Sequence, residues 1–508
     1  MRNKKPALIA ITLFTSVILA GFAIVGDPDI PRLWDLQKYK SGYMPLADRS
    51  VDIQQISEEL YYKIPERVGY KTYPFYLPGR EPKGYYAWLL GQQPEIVFNI
   101  SNIKSEADWV KAGEMIYELP MVTQSFMDSA GDMKTLQQWG DLLRSIHAPV
   151  AKDGIIPFLQ LVVTQKGKIS LGLFACAECH NRVMPDSSVL KGGQGNFPFD
   201  HWWGKTIKNN IEQYNLNDSS ARDYQIGIFR YLYSAAWVRN EDQAFMEKPE
   251  PSKAISIFMA TVPGVMHRHG SSLGAPTAIP DLFNLQERKY LDHTGAALNR
   301  DISDMMRYEA QNQEMEHTNS YGGFKPDPRP DSIILQSYTR FSDAQAYALA
   351  KYLYSLKPLA NPDKGPRELV ARGRIIFEQE ECSDCHTPPF YSDNRLTPAA
   401  GFTQDKAGKD TFDLCVNTDP KLALYSRRGT GYYKVPSLIG VWNRSALLHG
   451  GYVTTLEELF NPARLKNDFM PSGFNPNIDK PFAVKGHNFG LSLDAEDKKA
   501  LMAFLRSL

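Results

Sequence analysis

The 508-residue chain carries no excess charge of either sign, since 57 lysines and arginines balance 57 aspartates and glutamates. Nucleic acid is therefore not among the expected partners, because binding it needs a basic surface. Cysteine is also scarce, with five residues in the whole chain, which excludes the dense disulfide framework of small exported domains. Beyond Val25 there is no second long apolar run, so the rest of the chain is not membrane-embedded. The share of hydrophobic residues is 43%, with 22% charged, which also rules out a disordered chain. The length predicts two or three domains.

The first 28 residues stand apart. Arg2, Lys4 and Lys5 precede the apolar stretch ALIAITLFTSVILAGFAIV, Ala7 to Val25, and Asp27 and Asp29 follow it. A basic flank before an apolar segment keeps the basic end in the cytoplasm and sends the remainder across the membrane. The run is long for a cleaved signal and just long enough to span, and Gly21-Phe22-Ala23 is a mediocre cleavage site. Residues 1–28 are expected to tether the protein on the periplasmic side of a bacterial inner membrane. The alternative is a cleaved signal and a free periplasmic or secreted protein.

Four of the five cysteines fall in two copies of one pattern, CAECH at 176–180 and CSDCH at 382–386, and Cys415 is left over. Three chemistries use a Cys-x-x-Cys pair. A zinc site does not usually fuse a histidine to each second cysteine, and a redox dithiol belongs beside a βαβ pattern that is not found here. Covalent haem c accounts for all three residues. Cys176 and Cys179, or Cys382 and Cys385, lie on one face of a turn and add to the two vinyl groups, while His180 or His386 turns its imidazole to the iron. Two haem c groups are expected.

The flanks repeat as well. Apolar Leu369, Ile375, Ile376 and Phe377 recur at helical spacing before the second motif. At the C-terminus Asp494 is placed to cap a helix with Leu501, Phe504, Leu505 and Leu508 on one face, and residues 342–356 resemble that closing segment. Pro280 to Gly295 aligns without gaps onto Pro436 to Gly451, sharing Pro, Leu, Arg, Leu, His and Gly, the histidines being His293 and His449. Motif, repeat and closing helix thus occur twice, in tandem, with PLANPDKGP, Pro358 to Pro366, as linker. The reading is a mainly α fold of two cytochrome c-like haem domains with long irregular loops, at 151–360 and 361–508. They follow the anchor or signal at 1–28 and a Tyr- and Pro-rich extension at 29–150 that packs on the first haem domain.

The tandem order, and KVPSLIGVWNRSALLHGGYVTTLEELFNP in particular, resembles the bacterial di-haem cytochrome c peroxidase superfamily. CHNRVMPDSSVLKGGQGNFPFD after the first motif and KGHNFGLSLDAEDKKAL near the end are most similar to its rubber-oxygenase-like branch. That resemblance implies a division of labour, in which one iron keeps an open side for peroxide or dioxygen and the other is six-coordinate and relays electrons. It implies His487, in Gly-His-x-x-Gly, as the sixth ligand of the second haem, with Met470 and His449 as other candidates. The methionine that peroxidases use falls here on Ala463. For the first haem no sixth ligand stands out, although His267, His269 and His293 are within consideration, so His180 is expected to face the reacting side. The family's proton-moving acid falls on Asp301 or Asp304, where a plain helix cap is the competing role. Leu291 takes the place of a polar pocket residue, and Phe283 is a possible wall of an apolar pocket suited to dioxygen and an apolar organic substrate. The implied function is a haem oxidoreductase served by an electron-donor protein, with a non-catalytic electron carrier as the alternative. Trp202, Trp203 and Trp442 are candidates for residues between the haems.

Overall fold

The computed structural model describes residues 29–128, 132–214, 219–313, 315–403 and 410–508. The apolar N-terminal segment lies outside the described residues, and among those described no helix is long and apolar enough to cross a membrane. The fold is mixed rather than mainly α, with 38% helix and 14% strand. Most of the difference is one antiparallel sheet. Its strands run in the order Thr72–Tyr76, Ile155–Gln165, Lys168–Leu173, Val122–Asp128. IIPFLQLVVTQ is buried along most of its length, because Leu159, Leu161 and Val163 enter a core shared with Phe75, Phe126 and Trp139. A tight turn with Gly167 at φ 79° joins it to the next strand, a geometry that glycine adopts without steric cost.

Each of the two repeated halves is built on a packed helix pair. Glu106–Glu118 packs on Asp343–Ser355, and Arg367–Gln379 packs on Ala495–Ser507. Both crossings close on a glycine. A Cβ on Gly113 would sit 1.9 Å from the Ala348 carbonyl oxygen, and one on Gly373 would sit 1.9 Å from that of Ala500. Only hydrogen fits there. Side-chain caps fix the starts, with Ser105, Ser342 and Asp494 each accepting from an amide in the first turn of its helix.

The repeat around Pro280 and Pro436 is structural as well as sequential. Short 3-10 turns occupy the equivalent stretches Leu285–Glu287 and Val441–Asn443. Leu291 pairs with Ala297 as Leu447 pairs with Val453, and Gly295 and Gly451 both take left-handed φ, 64° and 65°. Helix Glu106–Glu118 falls inside the stretch 29–150 that the sequence reading treats as an extension. In the second half the matching helix runs straight into its motif. In the first, the sheet is inserted between helix and motif, which hides the correspondence.

Candidate functional site

The first motif lies deep in the protein, the second nearer the surface, with Glu381 and Asp384 exposed. Cys382 and Cys385 line a cavity, while Cys176 packs against an apolar core and Cys179 against Met266. Among the described residues no group of three or more His, Cys, Asp and Glu side chains has the arrangement of a metal cage, so the two cysteine pairs do not meet in a zinc site. Burial pushes Cys176 and Cys382 up to about 12 and Cys385 to about 11. Reactive redox dithiols are shifted the other way. The donor set suits a haem c at each motif, and a cavity adjoins the second.

Histidine orientation is the next condition. His180 Nδ1 donates to the Pro280 carbonyl at 3.1 Å. His386 Nδ1 donates to the Tyr391 carbonyl at 3.1 Å, with the Pro436 carbonyl also in reach. Since a carbonyl can only accept, each Nδ1 carries the proton and each Nε2 offers a lone pair to a metal. Burial holds both imidazoles near pKa 4, which keeps them neutral and ligand-competent. The first motif is fixed further by Asn181, whose amide donates to the Pro157 carbonyl and whose Oδ1 accepts from Tyr117.

The second motif opens on a cavity of about 260 Å³, lined by Cys382, Cys385, His386 and His487 and reaching His293 and His449. The His386 and His487 rings lie with centroids 6.4 Å apart and their planes inclined at 58°. Two imidazoles on opposite sides of one metal, at bond lengths of about 2 Å, have centroids roughly 6 Å apart. The spacing suits one iron between them. The His487 loop is tightly held: its amide donates to the Val416 carbonyl and its own carbonyl accepts from Arg464, both at 2.7 Å. Arg464 is fully buried and also donates to the carbonyls of Leu459 and Val484. A Cβ on Gly486 would lie 2.4 Å from the Asn417 backbone, so the approach to His487 needs glycine. The ring departs from the usual metal-bound histidine in one respect, as Nδ1 is buried with no hydrogen-bond partner. Met470 is half exposed and is not part of the cavity lining. His449 stacks on Tyr433 at 4.1 Å.

His201 Nε2 donates to the Thr261 carbonyl, and His293 Nε2 to that of Ala278. His269 is held by the Asn312 carbonyl and by Glu316. His267 Nδ1 pairs with Asp200 at 2.6 Å, its ring packs against those of Tyr233, Phe258 and Phe474, and its buried Nε2 has no hydrogen-bond partner.

Asp301 caps helix Ile302–Asn312, its Oδ1 accepting from the Ser303 and Asp304 amides at 2.8 and 3.3 Å. Asp304 is paired with Arg300 and Arg307. Leu291 is buried. Phe283 is buried beside Gly192 and Leu356 and takes no part in lining the cavity of the second motif. Trp202 stacks on Trp139 against the sheet, and Trp442 donates to the linker carbonyl of Leu359.

One residue stands out that sequence reasoning passed over. Glu309 is buried, neither carboxyl oxygen has a hydrogen-bond partner, and burial holds it well above the usual carboxylic range. It lies close enough to Cys176 that a charge on it would raise that thiol further. The available signal was its place four residues after Met305, an acid on the apolar face of its helix.

No protein-family model and no curated protein matches the chain. Among solved structures, hydrazine synthase of Kuenenia stuttgartiensis overlays at TM-score 0.31 and 14% identity, covering 57% of this chain and 88% of that one. A MauG-like protein associated with microbial copper homeostasis overlays at TM-score 0.22 and 18% identity, covering 33% of this chain and 56% of that one. Both overlaps are loose, and neither places the chain in a family.

Proposed function

We propose that the protein is an exported di-haem c-type oxidoreductase. In this reading one haem is carried by Cys176, Cys179 and His180 and activates dioxygen or peroxide. The other, carried by Cys382, Cys385, His386 and His487, receives and relays electrons from a donor protein. The observation that carries the reading is the second imidazole at ligand spacing from His386, while His201, His269 and His293 each turn Nε2 to a backbone carbonyl elsewhere.

A haem with one open side supplies a binding place for dioxygen or peroxide and the electrons to reduce it. The protein's part is to hold His180 in the correct tautomer through Pro280 and to move protons. Asp301 is engaged as a cap, so Glu309 is the carboxyl we assign to proton transfer, protonated at rest and free of other partners. The predominantly apolar surroundings of the first motif, with Leu291 and Met305 in the same core as Cys176, suit a small apolar organic substrate. The N-terminal segment would tether the protein to the outer face of the inner membrane or direct its release.

Electron paramagnetic resonance of the oxidised protein tests this. One high-spin and one low-spin iron are expected, with cyanide converting only the high-spin signal. His487→Ala should turn the low-spin iron high-spin and leave the other unchanged. Two low-spin irons indifferent to added ligands would reject the enzyme in favour of an electron carrier.

A further inference from the structure

The two repeats share the arginine and histidine of the motif but differ in charge at four positions, Asp281/Ser437, Glu287/Asn443, Lys289/Ser445 and Asp292/Leu448, and the first of these lies beside the proline. Arg288 donates to the carbonyls of Asp281 and Phe283 at 3.0 and 2.7 Å. Arg444 donates to the equivalent carbonyls, those of Ser437 and Ile439, at 2.8 and 3.0 Å. Asp281 and Ser437 directly follow Pro280 and Pro436, whose carbonyls face His180 and His386. The symmetry breaks at the side chain, where the first repeat has a carboxylate and the second a hydroxyl. Asp281 Oδ1 accepts from its own Arg288 at 2.5 Å, and Oδ2 accepts from Arg444, across the boundary between the repeats, at 2.9 Å. All three side chains are largely buried, so water screens the pair weakly.

We propose that the Asp281 and Arg444 pair is a positioning device for reduction potential, with its negative end toward the first centre and its positive end toward the second. A nearby carboxylate favours the ferric state and lowers the potential, while a nearby guanidinium favours the ferrous state and raises it. The pair therefore lowers the first-centre potential relative to the second. Geometry sets the order, since Asp281 directly follows Pro280, whose carbonyl accepts from His180, and Arg444 donates to the carbonyl of Ser437, which directly follows Pro436. The effect is read as the change on neutralising each end of the pair. The inference rests on the reading that each motif carries a haem. Each half-reaction is the addition of one electron to one iron, with no bond made or broken.

The test uses the full-length holoprotein. Haem is counted first, by mass and by the pyridine-alkali spectrum, so a wild-type protein without two covalent haems overturns the functional reading independently of Asp281. Potentials are then measured by optical redox titration. Asp281→Asn is expected to raise the first-centre potential on the order of tenfold in reduction equilibrium, about 59 mV for one electron, and the second by less. Arg444→Gln is expected to lower the second-centre potential more than the first. The first-centre potential rises relative to the second in both variants, from opposite ends. Should Asp281→Asn fail to load haem, Asp281→Ser, the residue of the second repeat, and Arg444→Gln still decide the matter. Potentials that do not move in loaded variants, or that move together by equal amounts, would overturn the proposal.

Discussion

A buried carboxyl without a hydrogen-bond partner persists only if it stays protonated or meets a partner that arrives later. Glu309 meets that description beside the first motif. Glu309→Gln keeps the shape and removes the transferable proton, so the variant should retain both haem spectra and reduce peroxide at least about 10²-fold more slowly. Stopped-flow spectroscopy checks this, and an unchanged rate would move proton transfer to another group. The opposite response of a buried base appears at His449, which burial against Tyr433 pulls from 6.5 down to about 3. The unfolded chain binds a proton below pH 6.5 that the folded protein refuses. The stabilising contribution is therefore complete above pH 6.5 and is lost as pH falls toward 3, at about 1.4 kcal/mol per pH unit. His449→Phe, which keeps the ring stack, is expected to reduce the wild-type loss of stability between pH 7 and pH 5 by about 2 kcal/mol. Guanidinium unfolding at the two pH values measures it.

The crossed helix pairs depend on close approach at a single residue each. Gly113→Ala and Gly373→Ala would place a methyl group within bonding distance of a carbonyl oxygen, forcing the helices apart at about 3 kcal/mol, the upper part of the usual range for overpacking. Thermal unfolding should show the loss. Haem counting should show Gly373→Ala depleting the CSDCH site and Gly113→Ala the CAECH site, since each pair backs its own motif. These elements differ in how readable they are from sequence. The motifs, the Pro280 and Pro436 repeat and the Asp494-capped closing helix follow from local chemistry and periodicity, and they appear at the expected residues. The sheet does not, because IIPFLQLVVTQ is a continuous apolar run that fits a buried strand or a buried helix equally. Its partners at Thr72–Tyr76 and Val122–Asp128 are far away in the chain. Glu309 and the Arg464 clamp on His487 escaped for a related reason: their roles depend on which groups the fold leaves unpaired or brings together.

At the scale of the whole molecule the two haem-type halves are not separable. Phe229, Tyr233, Phe258 and Val265, all from before the linker, share one apolar core with Phe377, Phe474, Leu501 and Phe504 from beyond it. Gln194 crosses in the same direction, its side chain accepting from the amides of Ser445 and Ala446 and donating to the Ala446 carbonyl. Removing the first half would withdraw the burial of four large side chains, each contributing about 1.5–3 kcal/mol. Their sum is comparable with the whole stability of an ordinary domain, about 5–15 kcal/mol. The fragment 361–508 is therefore expected to show no cooperative thermal transition by circular dichroism and no low-spin spectrum, although it contains CSDCH and His487. In the full chain, far-ultraviolet dichroism and the haem absorbance of the second centre should lose their signals in one coincident transition. A fragment 361–508 that folds cooperatively and holds a low-spin haem would show that the shared core is dispensable, and with it the coupling between the two centres.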